Sequence, residues 1–191
     1  AALAHDWDGA QHCWRPRLGA WGASSVPGIH VSGEGAGIAG WAAAEAGGTI
    51  AALGILRDLG LIDGDTRDAL ALAPARRRAR ERRLRPFLDA LYAPRHVVPE
   101  DPDTLVCRCE ELSRREIDAA IATGVAGPNQ LKSYSRAGMG PCQGRQCALT
   151  VQALIARAGH PPAEAGPLRF RPPVVPIPLE ALADMEIEDD G

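Results

Sequence analysis

Aromatic side chains are scarce in this sequence: four Trp, two Tyr and two Phe among 191 residues. With 21 Gly and 16 Pro alongside, much of the chain must be loop, tight turn or small-residue packing. Long apolar runs are also missing. None approaches the roughly 18 residues that a membrane span needs, and no basic-then-apolar leader opens the chain. Excess charge of one sign is absent too. The formal net charge of −3 gives no reason to invoke nucleic acid. Five cysteines without a secretory leader do not make a disulfide framework, so they read as metal ligands or redox groups in a cytoplasmic protein, at most peripheral to a membrane through partner subunits. Five histidines are scattered, none at a zinc or catalytic spacing, and no Gly-x-Ser-x-Gly or P-loop occurs.

What remains has a clear order. Residues 1–25 are irregular and rich in Gly, Trp and Arg. Pro27-Gly28 makes a turn, and Ile29 to Ser32 alternates like a short buried strand. Glycines then cluster from Gly33 to Gly37. Ile38 to Ala46 reads as a helix of small residues ended by Gly47-Gly48, with Thr49 to Leu59 a second helix or its continuation, stopped by Gly60. Residues 66–92 are helical in composition and hold seven arginines between 76 and 85. No aromatics interleave that run for base stacking, so it reads as a solvated helix face. Pro94, Pro99 and Pro102 mark a linker.

From Leu105 a new unit begins. Ser113-x-x-Glu116 is a capping box that starts a helix near Arg114, with Ile117, Ala120 and Ile121 on its apolar face and Gly124 at its end. Pro128 suits the first turn of a second helix ended by Gly138. A third starts near Arg145, with Cys147, Val151, Leu154, Ile155 and Ala158 on one face. Residues 161–178 are proline-rich and extended, and Glu180 to Asp190 forms a solvated acidic end.

Four of the cysteines form two close pairs, Cys107-x-Cys109 and Cys142-x4-Cys147, with residues 110–141, 32 in all, between them. Four thiolates suit tetrahedral zinc or an iron–sulfur cluster. Zinc pairs usually leave two to four residues between ligands, which Cys-x-Cys fits poorly. Gly138, Gly140 and Gly144 leave backbone N–H groups free to approach sulfur, and Arg108, Lys132, Arg136 and Arg145 can offset negative charge. Cys147 falls in the first turn of a helix, whose positive end favours thiolate. Cys13 stands apart and reads as packing.

The stretch VCRCEEL…GPNQLKSYSRAGMGPCQGRQCALTVQALIA, residues 104–158, resembles the small helical 2Fe–2S domain of the bacterioferritin-associated-ferredoxin type, and above all the version found in flavin-dependent amino-acid oxidoreductase subunits. All four ligand positions of that family are filled. The resemblance implies a 2Fe–2S cluster on Cys107, Cys109, Cys142 and Cys147.

Gly35-Ala36-Gly37-Ile38-Ala39-Gly40 matches G-x-G-x-x-G literally, but no second strand ending in an acidic residue follows. Asp58 stands near that distance within the helical-looking LGILRDLG, so the dinucleotide fingerprint is rejected. Instead SSVPGIHVSGEGAGIAGWAAAEAGGTIAALGILRDLG resembles the last flavin-binding segment of two-dinucleotide-domain flavoprotein oxidoreductases. That resemblance implies FAD contact at Gly33, Glu34, Gly35, Ala36, Gly37 and Ile38. Glu34 takes the place of the family's Asp, which accepts a hydrogen bond from the flavin ribityl chain.

Taken whole, residues 1–185 resemble the C-terminal portion of the FAD- and 2Fe–2S-bearing subunit of amino-acid dehydrogenases and oxidases, of the hydrogen cyanide synthase, opine oxidase and hydroxyproline dehydrogenase type. RPFLDALYAPR and LRFRPPVVPIPLEALA share the likeness. The expected fold is a mixed α/β fragment of a two-dinucleotide-domain flavoprotein (1–65), a helical linker (66–103), a small all-α helix-turn-helix 2Fe–2S domain (104–160) and a proline-rich tail with an acidic end (161–191). The family's N-terminal fingerprint does not appear, and the opening Ala1 is expected to mark a truncated chain or a misplaced gene start. The implied function is electron transfer between flavin and 2Fe–2S in an oxidoreductase acting on an amine or amino acid. The implied partners are an electron acceptor and a second flavoprotein subunit. No residue is assigned as catalytic. A stand-alone ferredoxin-like carrier and a structural zinc domain are the alternatives.

Overall fold

Asp8-Gly9-Ala10-Gln11 has the composition of a turn, and it closes a hairpin. Strands β1 (His5–Asp8) and β2 (Cys13–Pro16) pair antiparallel with Trp7 opposite Trp14. The Asp8 carboxylate accepts from the N–H groups of Ala10 and Gln11 at 2.9 and 3.0 Å. The two indoles meet edge to face with 5.6 Å between centroids. The irregular opening expected for residues 1–25 is thus corrected in part: a cross-strand aromatic pair orders the first segment.

The computed structural model describes residues 3–94, 98–172 and 174–184, and the chain divides into two units, Ala1–Arg95 and His96–Gly191. It is rich in helix, with two small two-stranded sheets among the described residues. No helix among them is long and apolar enough to cross a membrane.

In the first unit, the strand expected at Ile29–Ser32 is replaced by a single bridge between Ala23 and His30. Ser24 N–H donates to Ile29 O and Val31 N–H to Gly22 O, so the Pro27-Gly28 turn folds the segment onto itself. A 3-10 turn, Gly33–Ala36, follows. Helix α1 begins at Trp41 rather than Ile38 and runs to Asp58 without stopping at Gly47-Gly48. Its buried residues Ala43, Ala46, Ile50 and Leu53 recur every three or four positions, and helix α2 (Gly64–Arg82) packs against it. A mid-helix glycine costs about 1 kcal/mol against alanine, and close packing offsets that. At Gly54 a Cβ would lie 2.6 Å from the Cβ of Trp21. Helix α2 opens on Asp63, whose carboxylate accepts from Thr66 N–H at 2.7 Å. The helical stretch expected over 66–92 is divided: α3 (Arg85–Leu91) restarts with Pro86 in its first turn.

The second unit starts with a hairpin of β3 (Leu105–Cys107) and β4 (Leu112–Ser113). Ser113 and Glu116 close the capping box on helix α4 (Arg114–Ala122). Helix α5 (Pro128–Ser135) ends earlier than expected, at Arg136, which itself adopts the left-handed conformation (φ 66°). Helix α6 (Ala148–Arg157) begins just after Cys147, which is its N-cap rather than a first-turn residue. Ile117, Leu131, Val125, Val151, Leu154 and Ile155 form the core, with the side chains of Cys107 and Cys147 inside it. The extended tail expected from 161 is interrupted by a short helix α7 (Pro162–Ala165), because Pro161-Pro162 is a good helix start. Leu179–Ala183 forms a further short helix, α8, within the stretch expected to be a solvated end. Glu186, Glu188, Asp189 and Asp190 lie outside the described residues.

Candidate metal centre and flavin segment

Four cysteines reach one place from three elements. Cys107 ends β3, Cys109 lies in the turn that follows, Cys142 lies in the loop before α6, and Cys147 caps α6. Cys107 and Cys147 are each 1% exposed, Cys142 is half-buried, and Cys109 is exposed. The charges of Cys142 and Cys107 both raise the Cys109 thiol, and those of Cys107 and Cys142 both raise the Cys147 thiol, so the four groups lie within electrostatic reach of one another. They are not drawn in to ion-binding distance: among the described residues no group of three or more His, Cys, Asp or Glu side chains stands in metal-binding geometry.

The thiols differ in acidity for local reasons. The N–H of Gln146 lowers the Cys142 thiol first, aided by the Cys109 thiol and the N–H groups of Gly144 and Arg145, against the opposing effect of burial. For Cys109 the N–H of Cys142 pulls downward, but donation to Cys142, partial desolvation and neighbouring sulfur charge carry it upward overall. Burial pushes Cys147 up to about 12, helped by the charge of Cys107. Cys142 is therefore the readiest of these three to become thiolate.

In chemistry, though not in its present spacing, this donor set suits a four-thiolate centre. It offers four soft sulfurs, a core that excludes water from two of them, and three N–H groups converging on a third. Gly140 has a different part from the one expected. A Cβ there would lie 2.2 Å from Cys109 Cβ, so only glycine lets the two loops approach. Gly138 and Gly144 leave room for Leu168, whose Cδ2 would stand 3.2 and 2.1 Å from a Cβ at those positions.

The four cations expected to offset negative charge each have a place of their own. Lys132 is buried and donates from Nζ to Arg169 O at 2.7 Å, which satisfies a charge that burial makes costly. Arg136 pairs with Glu110 at 2.7 Å. Arg145 donates to Cys142 O and Val174 O, each at 3.2 Å, with its guanidinium 5.8 Å from the Phe170 ring centre. Arg108, between Cys107 and Cys109 in sequence, is exposed. The contacts of residues 166–171 with the thiol loop were not anticipated. The only signal in the sequence was a leucine set between Pro167 and two arginines, which names no contact.

In the first unit, Gly33, Glu34, Gly35 and Ala36 form the 3-10 turn, with Gly37 and Ile38 leading toward α1. Glu34 Oε1 accepts from Gly40 N–H at 2.8 Å and Ala39 N–H at 3.4 Å. Its carboxylate thus covers the N–H groups ahead of α1, which explains why the helix starts at Trp41. Ile38 is exposed, and its backbone is held by Gln11, N–H to Oε1 at 3.1 Å and Nε2 to O at 2.8 Å. A cavity of about 510 Å³ opens beside the segment, with Gly33 and Gly37 on one wall and Arg78 and Arg82 of α2 on another. The arginine run is exposed along most of its length, as expected: Arg76, Arg77, Arg80, Arg82 and Arg83 are exposed, while Arg78 and Arg85 are half-buried, Arg78 and Arg82 line the cavity, Arg77 pairs with Glu45 at 2.8 Å, and Arg85 holds Asp89. Asp58, the residue that would have completed a fingerprint, is the last residue of α1.

Comparison with known proteins places the second unit first. Residues 102–185 match the family model of the sarcosine oxidase A3 domain. Over nearly the whole chain the likeness is to components of larger enzymes. The chain is 48% identical over 183 residues to an opine oxidase subunit of Rhizobium meliloti, covering 94% of this chain and 35% of that one. It is 44% identical to the corresponding opine oxidase subunit of Agrobacterium tumefaciens, covering 94% and 36%. It is 37% identical over 186 residues to hydrogen cyanide synthase subunit HcnB of Pseudomonas aeruginosa, covering 91% and 38%. The chain spans little more than a third of the length of these relatives. No solved structure matches it.

Proposed function

We propose that this chain is part of an FAD-dependent oxidoreductase subunit that acts on an amine or amino acid, and that its residues 104–160 form a 2Fe–2S domain. The observation that carries the reading is that Cys107 and Cys147 share one buried core while Gly140, two residues before Cys142, packs against Cys109, so that all four cysteines gather in one unit. The similarity to opine oxidase and hydrogen cyanide synthase subunits supports the oxidoreductase class and a partner subunit. When bound, the flavin and the cluster supply the redox chemistry, the one exchanging electrons in pairs and the other singly. The protein's share is position and field. Cys107, Cys109, Cys142 and Cys147 would hold the iron, and the N–H groups of Gln146, Gly144 and Arg145 stabilise negative sulfur at Cys142. The buried walls around Cys107 and Cys147 keep water from their sulfurs.

The Gly33–Ile38 segment would contact the flavin. Its glycines admit close approach, and the neighbouring cavity offers space and two cations. Glu34 keeps acceptor capacity there although one oxygen already takes backbone N–H groups.

Anaerobic incubation of the full chain with ferrous iron and sulfide tests the centre. The expected product contains two iron and two sulfide per chain, with visible absorption and a reducible paramagnetic signal. Cys142→Ser is expected to lose most of it. Protein that takes up stoichiometric zinc and no iron under matched conditions would return the site to a structural role.

A further inference from the structure

Downstream of α6 the chain turns back and lies against the loop that carries Cys142. It is fastened along its length to α5, to α6 and, at one point, to that loop. Gln152 Nε2 donates to Gly166 O at 3.1 Å, Asn129 Nδ2 to Pro167 O at 2.9 Å, and Lys132 Nζ to Arg169 O at 2.7 Å. In return, Arg169 N–H donates to Asn129 Oδ1 at 2.8 Å and Arg171 N–H to Gln143 Oε1 at 3.4 Å. The last of these reaches the residue next to Cys142, and Gln143 is itself held at a left-handed φ of 51°. Between these fastenings the Leu168 side chain enters a notch that exists because residues 138 and 144 have no Cβ. Both glycines have positive φ, 85° and 77°, so a side chain at either would be strained as well as crowded. A lysine only 6% exposed is given over to holding this segment, an outlay that ordinary surface coil does not call for.

We propose that residues 166–171 are a strap across the thiol loop and that Leu168 is the positioning residue which keeps Gly138–Cys147 closed over the sulfurs. The strap governs how fast solvent, chelators and thiol reagents reach Cys142 and Cys147. Closure of the loop depends only on the contacts above. That the closed loop retains an iron–sulfur centre rests on the function proposed for the four cysteines.

Two measurements on the full chain separate these layers. In the first, reduced, metal-free protein is alkylated with iodoacetamide and each cysteine is followed by peptide mass mapping. Leu168→Ala is expected to speed modification of Cys142 and Cys147 by about tenfold, the factor that roughly 1.4 kcal/mol of lost local closure produces. Cys13, in the other unit, serves as the internal control and keeps its wild-type rate. Leu168→Met is expected to restore slow modification. Gly144→Ala, which puts a Cβ where Leu168 Cδ2 lies, is expected to match Leu168→Ala, and the double variant to add little further, because both changes unseat the same side chain. Should Leu168→Ala unfold the unit by circular dichroism, Leu168→Val supplies a smaller deletion with an intermediate rate. In the second measurement, protein loaded with iron and sulfide is challenged with a chelator, and bleaching is expected to be faster in Leu168→Ala. Wild-type alkylation rates at Cys142 and Cys147 in a folded Leu168 variant would overturn the strap. If no iron binds but the alkylation contrast appears, the strap stands and the cluster does not.

Discussion

At Gly140 the absence of one carbon atom decides whether the two cysteine loops can meet. Gly140→Ala would set a Cβ 2.2 Å from Cys109 Cβ, and neither atom is the free end of a flexible chain. The variant is expected to keep its helices by circular dichroism but to take up less than half the iron of wild type on reconstitution. Equal iron content would remove Gly140 from the site. What the cysteines hold is the proposal made above, and their grouping into two close pairs was legible from spacing. The reason for Gly140 was not. A free N–H was expected, whereas the structure uses the missing side chain. Lys132 was misjudged in a similar way, since the sequence shows its charge but not that Arg169 O answers it. Glu34 illustrates a third case. Its acceptor chemistry was apparent from residue type, yet its partners, Ala39 and Gly40 N–H, follow only from the 3-10 turn that folds it back.

Among the elements, those with local signals in the sequence were readable. The capping box at Ser113 and Glu116 fixes the start of α4, and Ser113→Ala is expected to cost about 1 kcal/mol. That loss would lower the melting midpoint of a unit this size by roughly 4–8 °C. Elements set by tertiary contact were misread. Gly47-Gly48 reads as the end of one helix, with a continuation as the alternative, and α1 runs through both and through Gly54, where Trp21 packs against the helix. Gly54→Ala should raise helix propensity by about 1 kcal/mol, but crowding of Trp21 should reverse the sign. A net loss of about 1–2 kcal/mol is expected from overpacking in urea titrations, and a stabilised variant would show that Trp21 yields freely. The Ile29–Ser32 strand failed for the complementary reason: alternation marks a strand only where a neighbour supplies a ladder, and Ala23 gives a single bridge.

The whole molecule carries stabilising carboxylates in both units, and they respond to acid in the same direction. Thr66 N–H holds Asp63 below its usual 3.8, Arg85 does the same for Asp89, and Ser113 holds Glu116 below its usual 4.5. Each group is more acidic folded than unfolded. Its contribution is complete above the unfolded value and disappears as pH falls through the lower folded value. Ellipticity is therefore expected to be level from neutral pH down to about 4.5 and to fall below that. A loss beginning near pH 6 would point to a different set of groups. All four Trp, at positions 7, 14, 21 and 41, lie in the first unit, so indole emission observes that unit alone. Trp41 is 77% exposed and stands three residues beyond Ile38. FAD bound at Gly33–Ile38 is expected to quench emission, and Trp41→Phe to remove most of the quenching. Unchanged emission across saturating FAD would exclude binding at this segment.

The pairing of the thiols carries a practical consequence. Cys107 and Cys147 share one core, and Gly140 sets Cys109 against the loop that carries Cys142, so the neighbours in space come from different sequence pairs. Metal-free protein left in air will then lose two hydrogens at each contact to dissolved oxygen, yielding peroxide and two covalent bridges that tie the β3–β4 hairpin to the start of α6. Preparations made without reductant should harden into a form that refuses iron until dithiothreitol is added, and non-reducing peptide maps should recover those two links.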